Sequence, residues 1–292
     1  MTSSPDQITR DYFDSLLLET RYLDSAIPST EMELFGEHFS TPIMTAALSH
    51  LDNTAPNGML IYAKAAAMCN AVHWVGMGND DELERIVATG ARTIKIIKPH
   101  ADNAEVLRKI NHAVNAGCFA VGMDIDHAFN AEGGYDNVFG LPMKPKTTAE
   151  IADFVAASPI PFIVKGVLSP IDAEKCLQAG CGGIVVSHHH GMMPYSVPPL
   201  MVLPDIIKAV GNEIPVFVDC GIISGMDAYK CLAMGAKAVS VGRHLMPLLK
   251  DGAETVAQRM RTMTAELAST MARTAVLNLN TMDSSVIHRR TY

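Results

Sequence analysis

Eight short apolar runs, separated by longer amphipathic stretches, restrict the fold of this 292-residue chain more than any other feature. They are TPIMTAA, AVHWVGM, ARTIKII, FAVGMDI, IPFIVKG, GIVVS, IPVFVD and AVSVG, between residues 41 and 242. Runs of this length without polar alternation suit strands buried on both faces. The stretches between them predict helices over 57–70, 80–89, 102–116, 147–157, 170–179, 199–211 and 224–234. Several open on Asp, Ser or Thr, and Gly90, Gly117, Gly180 and Gly235 follow helix ends, as left-handed caps do. Eight such units without a change of composition predict a (β/α)₈ TIM barrel of the α/β class, with an open doubly wound sheet as the alternative. Residues 1–40 are expected as a lead-in segment. Residues 41–292 are expected as one barrel domain ending in a closing helix over 250–275. The stretch 128–147 has no periodicity and is expected as a mobile loop over the site.

The chain carries 23 Lys and Arg against 31 Asp and Glu, a net charge of −8, and has no basic stripe; a nucleic-acid partner is not expected. Apolar residues make up 48% of the sequence, enough for a large core, yet no run approaches about 20 apolar residues, so no membrane helix is expected. The six cysteines are scattered and form no Cys-x-x-Cys pair, which predicts reduced thiols. With a first segment, MTSSPDQITRDYFDS, that lacks a basic start and an apolar core, a cytoplasmic location is expected.

In a barrel the C-terminal strand ends share one mouth, so reactive groups are sought there. The fourth run ends in Asp124 and Asp126 with His127, the fifth in Lys165, the sixth in His188, His189 and His190, the seventh in Asp219, and the eighth in Gly242 and Arg243. The segments DCGIISG and SVGRH place Asp219, Gly221, Gly225, Gly242 and Arg243 in the last two loops, a pattern suited to a phosphate held by backbone N–H groups and a guanidinium. Lys165 reads as an ion-pair partner, a Schiff-base nucleophile or a fixed charge beside a cofactor. Strand alternation lets at most two of the three histidines face the mouth. A metal site would need further convergent ligands, so no metal is expected and one histidine is expected as a base oriented by Asp126.

The stretches IPFIVKGVLSPIDAEKCLQAGCGGIVVS and IPVFVDCGIISGMDAYKCLAMGAKAVSVGR, with RDYFDSLLLETRYLD and MELFGEHFSTPIMTAA upstream, carry a resemblance over nearly the whole chain. The chain resembles the FMN-dependent α-hydroxy-acid oxidases and dehydrogenases, the group of glycolate oxidase, lactate oxidase and flavocytochrome-type lactate dehydrogenases. The resemblance implies FMN as cofactor. Lys165 would lie at the flavin N1/C2=O edge. Gly221, Ile222, Gly242 and Arg243 would hold the phosphate, Asp219 the ribityl or phosphate region, and Ala46, Ala47 and Leu48 the ring. Lys95, in the place of a flavin-touching glutamine, Asp124 and Ser187 complete the cofactor set. Asp126 matches the aspartate that orients the catalytic histidine. An ungapped register puts that histidine at His189, and one insertion would put it at His190.

Departures from the family pattern concern the substrate. One carboxylate-gripping arginine falls on Met192 and another near Gly133, a tyrosine falls on Ile97, and an N-terminal substrate tyrosine has no counterpart. Methionine cannot replace a bidentate guanidinium. With His190, Met192 and Met193 as expected substrate contacts, the expected reaction is oxidation of an alcohol or hydroxy-type small molecule other than a simple small 2-hydroxy acid. His189 would abstract the proton as hydride passes to flavin. The alternatives are a Schiff-base aldolase or lyase using Lys165, and an FMN-dependent isomerase of the type 2 isopentenyl diphosphate isomerase kind. Analogy with related barrels implies a homo-oligomer, a tetramer or octamer.

Overall fold

The computed structural model describes residues 4–291. Each of the eight apolar runs contains one strand of a parallel sheet: β1 (Ile43–Thr45), β2 (His73–Val75), β3 (Thr93–Ile97), β4 (Ala120–Asp124), β5 (Phe162–Val167), β6 (Gly183–Val186), β7 (Val216–Val218) and β8 (Ala238–Val241). The ladder runs without a break from β2 through β8 and on to β1, where Val239, Ser240 and Val241 pair with Ile43, Met44 and Thr45. The ring closes between β1 and β2 through a parallel bridge at Leu48 and Val75, the Gly76 N–H donating to the Leu48 carbonyl at 2.8 Å. The observed architecture is therefore a (β/α)₈ barrel, not an open sheet.

Buried side chains on both strand faces explain the unalternated apolar runs. Inside the barrel, Met44, Trp74, Ile94, Ile96, Ile163, Val185 and Phe217 form one core. Outside it, Ile43, Val75, Ile97, Val121, Val164, Val218 and Val239 pack beneath the helices as a second. A hairpin of Met32–Leu34 and Glu37–Phe39 belongs to the interior core and closes the N-terminal end, with Phe35 and Phe39 against Phe119 at ring-centroid distances of 5.5 and 5.6 Å.

The outer layer follows the expected order: α1 (Gly58–Met68), α2 (Asp80–Val87), α3 (Asn103–Asn115), α4 (Thr148–Ala157), α5 (Pro170–Gln178), α6 (Pro199–Val210), α7 (Gly225–Ala233) and the closing α8 (Ala253–Arg273). Side chains of Asn79, Asp102, Thr147, Ser169 and Ser224 cap the N-termini of α2, α3, α4, α5 and α7, satisfying N–H groups left without helical partners. The four glycines expected past helix ends all have positive φ, from 78 to 105°.

Two segments depart from expectation. The stretch 128–147 is not structureless: Asn137–Val138 and Leu141–Pro142 form a short ribbon. It is tied to the loop after β3 by Ala101 N–H to Pro142 O at 2.8 Å and Lys144 N–H to Pro99 O at 3.0 Å. Two-residue strands are too short to carry a recognisable period, so the sequence did not announce the ribbon. In the lead-in segment, Pro5–Asp14 is a helix over the C-terminal ends of β6 to β8, and Leu16–Leu18 pairs antiparallel with Ile287–Arg289. Among the described residues no helix is long and apolar enough to cross a membrane.

Candidate active site

The C-terminal strand ends surround a cavity of about 470 Å³, lined by the β1 loop (Ala46, Ala47, Leu48), Lys165, His189, the β7 loop (Asp219 to Ile223) and Gly242 with Arg243. Its size is that of a small-molecule or cofactor pocket. Lys165 is 4% exposed, and its Nζ lies 3.2 Å from Ser187 Oγ, 3.3 Å from Asp124 Oδ1, 3.4 Å from His189 Nδ1 and 3.5 Å from Asp219 Oδ2. Burial pulls its pKa down, but Asp219, Asp124 and Asp126 outweigh burial and hold the ammonium above the ordinary lysine range. Paired with Asp124 and Asp219, Lys165 suits a fixed positive charge better than a neutral Schiff-base nucleophile.

Asp124 is 2% exposed and is bonded by Lys98 Nζ at 2.7 Å on its other oxygen. Burial opposes its ionisation, yet Lys165 and Lys98 hold the carboxyl well below the usual range. Around it stand Asp126, His127 and His189. His189 Nδ1 is 3.0 Å from Asp126 Oδ1 and 3.5 Å from Asp124 Oδ1, while its Nε2 is 3.1 Å from His127 Nε2. Burial and Lys165 push the His189 pKa down, and Asp124 with Asp126 reverse this to a value above the ordinary one. Burial, helped by Lys98 and His189, lowers His127 to about 4. Asp124, His127 and His189 bring ligand-capable atoms within 4.8 Å of one another. The two ammonium groups on Asp124 already supply the charge a metal ion would bring, so the cluster suits proton chemistry.

The three histidines separate, but not by strand alternation. After Ser187 the chain turns, with His189 and His190 both left-handed at φ 46 and 63°. His188 is buried with Nε2 2.8 Å from Thr9 Oγ1 on the N-terminal helix. His189 enters the Asp126 cluster, and His190 points to Asp6 with Nδ1 3.0 Å from Oδ2. Ser187 Oγ holds the turn by accepting the His189 N–H at 3.0 Å.

The family model described as FMN-dependent dehydrogenase matches residues 5–157 and 143–289. The chain is 30% identical over 278 residues to an L-lactate oxidase of Roseobacter sp. (strain GAI101), covering 83% of this chain and 75% of the relative. It is 29% identical to a 4-hydroxymandelate oxidase of Amycolatopsis orientalis, covering 83% and 78%. A mandelate oxidase variant solved with a C4a-OH-FMN adduct superposes with a TM-score of 0.88 at 27% identity, covering 97% of this chain and 91% of that one. The chain belongs to the FMN-dependent dehydrogenase family.

Membership makes the protein an FMN-dependent oxidoreductase, and the cavity can be tested for fit to that cofactor. At the β7–β8 end, the N–H groups of Gly221, Ile222 and Arg243 donate to no acceptor among the described residues. Backbone donors left without an acceptor in two loops that line one cavity are of the kind a phosphate accepts. Gly221 has φ +74° and a side chain there would start 2.7 Å from Thr9 Cγ2, so glycine is what lets the N-terminal helix pack against this loop. The Ala46 to Leu48 wall is apolar, and the charged Lys165 stands at the inner end. Donor set and shape therefore fit a phosphate-bearing ring cofactor.

Other sequence candidates fall outside the cavity. Lys95 is buried with its ammonium on the Gly76 carbonyl, because its strand position faces the β2 end and away from the lining. Burial lowers its pKa to about 8. Met192 and Met193 are 41% and 63% exposed and do not line it, since the His189–His190 turn carries the chain outward. His190 lines the phosphate end and not the Asp126 side.

Residues the sequence did not assign also shape the site. Asp6 holds Arg243 through two bonds of 2.7 and 2.6 Å. Arg10 donates to the Gly221 carbonyl at 2.8 Å and pairs with Asp227. Lys98 braces Asp124. Lys98 directly follows the run TIKII and was open to the strand-end argument. Asp6 and Arg10 carried no signal, because only tertiary folding brings the lead-in helix to the β7 and β8 loops.

Proposed function

We propose that the protein oxidises the hydroxyl-bearing carbon of a small molecule, with His189 as proton acceptor. The observation carrying this reading is the His189–Asp126 pair, 3.0 Å apart, in the same cavity as buried Lys165 and the unfilled N–H groups of the β7 and β8 loops. Gly221, Ile222, Gly242 and Arg243 would hold the FMN phosphate, Ala46 to Leu48 would flank the ring, and Lys165 would place a positive charge beside it. When bound, FMN supplies the hydride acceptor.

Asp126 fixes the His189 ring and favours a proton on Nδ1, which leaves Nε2 to take the hydroxyl proton. Among the residues lining the cavity, Arg10 pairs with Asp227 and Arg243 with Asp6, so neither guanidinium is presented to a substrate carboxylate beside His189. This supports a substrate whose hydroxyl carbon carries a neutral or larger group in place of a bare small carboxylate.

The test is spectroscopic. After FMN loading, anaerobic mixing with a panel of hydroxy acids, their amides and esters, and alcohols is expected to bleach the flavin for at least one member of the panel. Substituting His189→Asn is expected to abolish that bleaching with FMN still bound. Failure to take up FMN, or undiminished bleaching in His189→Asn, would overturn the reading.

A further inference from the structure

His127 follows Asp126 at the end of β4 and touches His189 on the side away from Asp126. The two Nε2 atoms are 3.1 Å apart, with the rings edge-to-face at 4.3 Å between centroids. On its far side His127 Nδ1 lies 3.6 Å from Asp136 Oδ2, at the start of the 137–142 ribbon, and makes no closer hydrogen bond. Asp136 is held in place by its own N–H to Ala128 O at 3.1 Å and by Met143 N–H to its carbonyl at 2.8 Å.

We propose that His127 is the proton-transfer partner of His189, carrying the proton that His189 acquires out to Asp136 and solvent, taking His189 as the base. The other groups around His189 lead inward. Lys165, Asp124 and Ser187 are buried, and the second oxygen of Asp126 is shut from solvent without a hydrogen-bond partner. His189 is itself 22% exposed, toward the cavity where cofactor and substrate would sit; with these bound, His127 and Asp136, 18% and 22% exposed, form the outward path on the other side.

One tautomer arrangement satisfies the His189 contacts to Asp126 and to His127. His189 donates from Nδ1 to Asp126 and from Nε2 to the Nε2 lone pair of His127, whose Nδ1–H faces Asp136. The charged groups facing this pair are Lys98 and Lys165 on one side and Asp124, Asp126 and Asp136 on the other. They favour the proton on His189 once it has been taken from the substrate and leave His127 neutral, able to accept it transiently. In the transfer the His189 Nε2–H bond breaks as the His127 Nε2–H bond forms. The His127 Nδ1 proton passes to the Asp136 carboxylate and on to water, and no electrons change owner. A substrate hydroxyl takes the place of His127 at Nε2 during oxidation, and His127 returns once product leaves.

The test uses FMN-loaded protein labelled with ¹⁵N-histidine and follows exchange of the His189 ring N–H with water. In His127→Phe, which keeps an aromatic ring without a proton site, exchange is expected to slow about tenfold or more, the scale of one proton-transfer contact. Exchange in His127→Ala is expected to be restored by free imidazole, and Asp136→Asn to give a smaller slowing. Unchanged exchange in His127→Phe, or slowing that imidazole does not restore, would overturn the relay. The base reading is judged separately by flavin bleaching in His189→Asn, so either idea can fail alone.

Discussion

At the β7–β8 end of the cavity the backbone N–H groups of Gly221, Ile222 and Arg243 have no acceptor among the described residues, whereas at the β4–β6 end the lining is Lys165 and His189, backed by Asp124, Asp126 and His127. A seat made from backbone binds any ligand with the right anion and depends on where the chain turns. A seat made from titrating side chains depends on which residues occupy the strand ends, and a few substitutions can change its substrate while the cofactor end stays as it was. On the proposed reading, the difference teaches that cofactor and substrate recognition would rest on separable features of one barrel.

The comparison can be broken first at the ionisable end. Replacing His189→Asn is expected to slow flavin reduction about 10²- to 10⁴-fold in stopped-flow mixing, while FMN affinity stays near that of the parent. Lys165→Met should cost about 3–5 kcal/mol in denaturant unfolding, because it leaves the buried Asp124 and Asp219 short of a counter-ion. The pH profile sharpens the same end. His189 must lose its proton to act as base and its pKa is raised above 6.5, so flavin reduction should rise with pH through a midpoint above that value.

Smaller effects are expected at the backbone end and the rim. Asp6→Asn removes the carboxylate that shares Arg243, and FMN titration should then show up to about 5-fold tighter binding, the scale of one partly exposed ion pair. Met193→Ser, at an exposed position outside the cavity, should change stability by less than about 0.5 kcal/mol and leave the flavin spectrum unaltered.

Much of this organisation was legible beforehand because strand burial leaves a strong mark. Each strand of the barrel falls inside an apolar run, apart from the last residue of β5, Val167, and Asp126, Lys165, Asp219 and Arg243 stand at or just past strand ends where a barrel gathers its reactive groups. What stayed hidden depends on contacts between distant segments or on local turns. The left-handed pair at His189 and His190 sends three adjacent histidines to three partners, an outcome that strand alternation could not anticipate. The same turn carries Met192 and Met193 out of the cavity. Asp6 and Arg10 meet the β7 and β8 loops only through docking of the N-terminal helix, 211 residues from Gly221 in the case of Arg10. His127 was visible as a strand-end residue, but its ring contact with His189 spans 62 residues and leaves no local pattern.

The most direct measurement compares anaerobic flavin reduction of the FMN-loaded protein by a 2-hydroxy acid, L-lactate or (S)-mandelate, with reduction by the corresponding amide at one pH. A cofactor end that is complete beside a substrate end without a carboxylate clamp predicts an amide rate at least equal to that of the acid. An acid that reduces the flavin about 10²-fold faster or more, the discrimination a dedicated carboxylate site provides, would contradict it.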